Sequence, residues 1–207
     1  MKLHHSLSLA AVVAAALALA SGVALAESQY GYASSGTGTV TATARVNLSV
    51  TVPKLILLRV GSAGATQDTL SWTAPLTVST APASPVDGSN QAATWDGSAP
   101  GVGTVTNPGA VSVWAWTNSS GGGNLNYTAT AFVGTGAPTL GDISVAVGTG
   151  LGHPGGAGPL AATGTPVGFS RNTVHTGSWT YSLSGTNAAS WAAGVYTSTV
   201  TYTATSI

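Results

Sequence analysis

The sequence predicts an all-β protein, an immunoglobulin-like antiparallel β-sandwich carrying an N-terminal donor-type strand. Three observations predict it. Val40 to Val52 alternates apolar and polar residues without a break. Short Val-, Thr- and aromatic-rich segments recur between Gly/Pro/Asn-rich turns. No amphipathic helical pattern occurs after residue 26.

The first element is not part of that fold. Lys2, His4 and His5 precede an apolar run from Leu7 to Leu19, and Ala24-Leu25-Ala26 forms a small-x-small site before Glu27. This is the pattern of a signal peptide, with an apolar stretch short for a membrane span. Residues 1–26 are therefore expected to be removed on export through the periplasm to the cell surface. About 180 residues remain, enough to bury a sizeable core. They carry Arg45, Lys54, Arg59 and Arg171 against Glu27, Asp68, Asp87, Asp96 and Asp142, a net charge of −1. Without a basic patch, nucleic acid is not an expected partner. The absence of cysteine excludes disulfides and thiolate metal sites.

Residues 27–38 read as a flexible polar leader, with Tyr30 and Tyr32 its only large side chains. Next comes the alternating segment, residues 39–53. Val40, Ala42, Ala44, Val46, Leu48, Val50 and Val52 share one face, and Thr41, Thr43, Arg45, Asn47, Ser49 and Thr51 share the other. Pro53 ends the ladder because it lacks a backbone donor. The body is then 54–207. In it Leu55-Ile56-Leu57-Leu58 is continuously apolar, which predicts a strand buried on both faces.

Further strands are expected over Thr69–Val78, Ala92–Trp95, Val111–Thr117, Leu125–Val133, Ile143–Val147, Ser178–Leu183 and Tyr196–Ala204. The glycine-rich Ser119–Asn124 reads as a hairpin turn joining the strands on either side of it. In the last strand Tyr196, Val200, Tyr202 and Ala204 are the marked residues. Val111, Val113 and Ala115 oppose Trp114 and Trp116 across one strand.

Nothing in the sequence assembles into a catalytic centre, so no enzyme, cofactor or metal is expected. His153 stands in Gly-His-Pro-Gly-Gly and reads as a solvated loop residue; His175 has no partner cluster in sequence. No Gly-x-Ser-x-Gly elbow or phosphate loop is present. The six tryptophans leave a second class open, a secreted or surface carbohydrate-binding module whose exposed indoles stack on sugar rings.

Two segments carry a family resemblance. One is Thr39-Val-Thr-Ala-Thr-Ala-Arg-Val-Asn-Leu-Ser-Val-Thr-Val followed by Pro53 and the apolar Leu55–Leu58. The other is Ala193-Gly-Val-Tyr-Thr-Ser-Thr-Val-Thr-Tyr-Thr-Ala-Thr-Ser-Ile. Together, over about 40 residues, they resemble chaperone–usher fimbrial (pilin) subunits of the cysteine-free, CFA/I-like type. The resemblance implies a sandwich missing one strand. A neighbouring subunit's N-terminal extension completes it, after a periplasmic chaperone has covered the gap. It implies partners of three kinds: copies of the chain or related subunits, that chaperone, and an outer-membrane usher. The expected product is a fimbria, with adhesion among its roles.

Physical chemistry points the same way. Val40–Val52 would extend roughly 40 Å at about 3.3 Å per residue. Burying its five Val and Leu side chains is worth roughly 7–15 kcal/mol before entropy. An exposed strand of that length is an aggregation hazard unless it adds to a partner's sheet edge or lies in its own sandwich, and both routes satisfy its backbone ladder.

Overall fold

The computed structural model describes residues 27–79 and 85–207. The signal-peptide expectation falls outside the described residues. The chain divides into two compact units, one ending at Val52 and one running from Pro53 to Ile207.

In the first unit, residues 39–52 form no strand, and Val46, Leu48, Val50 and Val52 are well exposed. The regular secondary structure of the second unit is almost wholly strand: β1 Ile56–Val60, β2 Leu76–Thr77, β3 Gly101–Val102, β4 Val111–Thr117, β5 Gly123–Ala129, β6 Ile143–Val147, β7 Gly158–Pro159, β8 Val167–Phe169, β9 His175–Leu183 and β10 Val200–Ser206. Its only described helices are single turns at Leu140–Asp142 and Ala188–Ser190. All strand pairs are antiparallel.

A five-stranded sheet has the order β1-β4-β9-β6-β7 and a three-stranded sheet the order β10-β5-β8; β2 and β3 form a separate ribbon. Alternation dictates how the two sheets meet. Val113, Ala115, Ile143, Val145, Trp179 and Tyr181 project inward from the larger sheet, and Leu125, Tyr127 and Phe169 from the smaller, to form one core. The expected sandwich is therefore present.

Several elements differ from the sequence expectation. Leu55–Leu58 is not buried on both faces. β1 is an edge strand whose Ile56, Leu58 and Val60 face the core, while Leu57 is 54% exposed. Its outward apolar residue packs in register with Trp116, which accounts for the unbroken apolar run. Of Thr69–Val78 only β2 is a strand, and Ala92–Trp95 forms none.

The Ser119–Asn124 turn does not close a hairpin. Both edges of β4 are taken, by β1 and β9, so β5 cannot pair with it and passes to the opposite sheet. Gly122 makes the crossing possible. Its φ is +81°, and a Cβ there would lie 2.5 Å from the Phe169 carbonyl oxygen.

Candidate functional site

An open sheet edge offers backbone N–H and C=O groups to another chain, so strand length and edge chemistry decide where a partner could add. On one side of this sandwich the sheets end in β7, two residues long and finished by Pro159, and β8, three residues long. Proline and short length both blunt an edge. The chain from Leu151 to Leu160 also packs into the core here, burying both leucines.

On the other side the sheets end in β1 and β10, five and seven residues long and free of proline. These two strands approach with Cα atoms within 8 Å, yet each pairs on only one flank, β1 with β4 and β10 with β5. The side chains they turn toward the core are Ile56, Leu58 and Val60 from β1 and Val200, Tyr202 and Ala204 from β10. All six pack on the core but are only half-buried, whereas Val113, Leu125 and Trp179 behind them are fully enclosed.

The far end of this cleft is tied down. The Leu55 N–H donates to Asn118 Oδ1 at 2.7 Å, the Asn118 amide donates to the Pro53 carbonyl at 2.7 Å, and Thr117 Oγ1 donates to the Leu55 carbonyl at 2.9 Å. The Ser119 hydroxyl donates to the Ile207 carbonyl. One turn thus anchors the start of β1 and the end of β10.

Of the marked C-terminal residues, Val200, Tyr202 and Ala204 line this edge. Tyr196 precedes the strand, and its hydroxyl donates to the Ala192 carbonyl at 3.0 Å. Pairing of β10 with β5 stops where Thr130 takes over: its N–H donates to the Thr199 carbonyl, and its Oγ1 accepts from the Thr199 N–H.

His153 corrects the sequence reading most sharply. It is not solvated but 2% exposed, enclosed by Tyr127, Trp179, Tyr181 and Tyr202. Its Nε2 lies 2.7 Å from the Tyr202 hydroxyl, which in turn bonds the Tyr181 hydroxyl, and its Nδ1 accepts from the Gly155 N–H at 3.1 Å. Burial pushes the imidazole down to about 4, the backbone bond at Gly156 opposing only weakly. Burial likewise pushes Tyr181 up to about 12 and Tyr202 higher still. The three groups form a neutral, hydrogen-bonded relay behind β10.

The loop that delivers His153 is glycine-rich because it lies directly on an aromatic ring. A Cβ at Gly164 would fall 2.4 Å from Tyr127 Cε1. The Trp179 indole N–H fixes the same loop through the Leu151 carbonyl at 3.0 Å.

No protein-family model, curated protein or solved structure matches this chain.

The tryptophans divide. Trp179 is in the core, while Trp114 and Trp116 lie half-buried on the outer face of the larger sheet, opposite Val113 and Ala115 as expected. The Arg59 guanidinium sits 3.3 Å from the Trp114 ring centroid, a cation–π contact across the β1–β4 register. Among the described residues no three His, Asp or Glu side chains converge on a point that could hold a metal.

Proposed function

We propose that this chain is a structural subunit of an extracellular filament, exported behind residues 1–26 and joined to its neighbours by donation of residues 39–53. The acceptor is the cleft between β1 and β10 of another copy or a related subunit. One observation carries the reading: two long, proline-free edges face each other without pairing, lined by six half-buried apolar or aromatic side chains. A strand entering there, with β1 and β10 parting to about 9.5 Å as two strand spacings require, would complete the backbone ladders of both sheets and enclose the core.

The same chain supplies a segment with the complementary chemistry. Val40, Ala42, Ala44, Val46, Leu48, Val50 and Val52 are spaced to fill one face of such a strand, and Leu48 is 90% exposed. A chaperone and usher belong to this proposal through the fimbrial resemblance alone. Electron microscopy of the purified exported protein tests it: filaments are expected, and a monodisperse monomer under all assembly conditions contradicts it.

A carbohydrate-binding module is the second reading, favoured by Trp95, whose indole is 63% exposed. It ranks second because Arg59 already covers one face of Trp114, one of the two indoles on the outer face of the larger sheet. Glycan-induced change in tryptophan fluorescence of a monomer would favour it over assembly.

A further inference from the structure

The leader preceding the assembly strand has a defined relation to it. Gly36, with φ +66°, closes a turn in which its N–H donates to the Ala33 carbonyl at 3.2 Å. From that turn two arms run back alongside each other. Glu27 Oε2 accepts from Arg45 Nε at 3.1 Å. Gly31 abuts Thr41 and Val40 so closely that a Cβ on it would lie 2.9 Å from the Thr41 carbonyl oxygen and 3.1 Å from Val40 Cβ.

Residues 27 and 45, and 31 and 41, are equally distant from residue 36, so both contacts belong to one antiparallel register. In that register residues 37–45 lie opposite the leader residues 27–35, and residues 46–52 lie beyond them. Exposure rises along the segment: Val40 is 50% and Val46 61% exposed, against 90%, 86% and 75% for Leu48, Val50 and Val52.

The hold is weak. Beyond the turn, no backbone ladder joins the arms, and the ion pair is exposed on the arginine side. A strand entering a cleft between two sheet edges needs both its flanks free. A leader lying along one flank obstructs that entry until it is displaced.

We propose that residues 27–35 are a displaceable latch on the first half of the assembly strand. Docking then begins with Leu48–Val52 and proceeds toward Val40 as the leader peels away. This inference rests on the strand-donation reading above, and adds to it a control on rate.

The chain has no cysteine, so a single engineered pair reports cleanly. Gly31→Cys with Val40→Cys places two Cβ atoms within a few tenths of an ångström of disulfide range. The full mature double variant is oxidised, the bond is confirmed by intact mass, and filament growth is followed by light scattering and microscopy. The oxidised form should grow at least tenfold more slowly than the same protein after reduction. Arg45→Gln should shorten the lag of assembly several-fold without changing final filament mass. Equal growth of oxidised and reduced forms, with no effect of Arg45→Gln, overturns the latch while leaving strand donation intact. Failure of wild type and reduced variant alike to form any filament overturns strand donation, and the latch with it.

Discussion

A buried neutral imidazole makes folding sensitive to acid. Unfolded, His153 takes a proton near its ordinary 6.5; folded, it resists until about 4. The unfolded state therefore binds more protons between those values, and stability falls as pH drops from about 6.5 to about 4, then levels off. The gap corresponds to roughly 3 kcal/mol at most. Tyr181 and Tyr202, both pushed upward, stay neutral throughout this window. Urea unfolding at pH 7 and pH 4.5 checks this: wild type should lose much of that amount, and His153→Phe should lose much less.

Asp142 acts in a lower window. Burial raises its pKa, but hydrogen bonds from the Thr139 N–H, the Asn187 amide and the Thr139 hydroxyl outweigh this and hold it below its ordinary 3.8. Its contribution is present above that value and lost below it. A second residue-scale expectation concerns glycine. A Cβ at Gly177 would lie 2.4 Å from the Leu151 carbonyl oxygen, whereas Gly109 has open space. Gly177→Ala should cost about 1–3 kcal/mol and Gly109→Ala close to nothing, by thermal unfolding. Neither the burial of His153 nor the crowding at Gly177 was legible in sequence. Both depend on residues 150–168 folding back onto β5 and β9, a long-range contact that no local pattern encodes.

At the scale of elements, alternation was a sound guide wherever one face meets the core. Val111–Thr117 and Val200–Ala204 present the faces their sequence implies because period two leaves a strand no other choice. It failed where pairing partners, not pattern, decide the outcome. The Ser119–Asn124 turn looks like a hairpin, yet β4 has no free edge for β5. Leu55–Leu58 looks doubly buried, yet β1 ends its sheet and turns Leu57 outward beside Trp116. That outer face has its own energetics. The Arg59–Trp114 contact is partly exposed, so Arg59→Ala should cost only about 0.5–1 kcal/mol. Chemical denaturation of the single variants and the Arg59→Ala/Trp114→Ala double variant would measure it as a coupling energy.

At the scale of the whole molecule, the sandwich is asymmetric in how it ends. One side is closed by short strands, Pro159 and a packed loop; the other leaves β1 and β10 facing each other unpaired. The sequence showed an alternating segment, which forms no strand within its own unit, but not the open edges of the sandwich, because an edge becomes visible only once every strand has found its partners. Joining donor to acceptor is the central claim, and register tests it most directly. In a docked strand the even-numbered residues from Val40 to Val52 face the cleft and the odd-numbered ones face away. Leu48→Asp puts an unpartnered carboxylate into an apolar cleft, a cost of several kcal/mol, while Asn47→Asp, one residue away, keeps its charge in solvent. Filament yield of the two variants is compared by electron microscopy, and circular dichroism follows the Leu48→Asp subunit supplied with a peptide covering Thr39–Val52. The account predicts filaments from Asn47→Asp, none from Leu48→Asp, and a Leu48→Asp body that the peptide binds and stabilises. Equal assembly by both variants, or a Leu48→Asp subunit that stays unfolded with the peptide present, would contradict it.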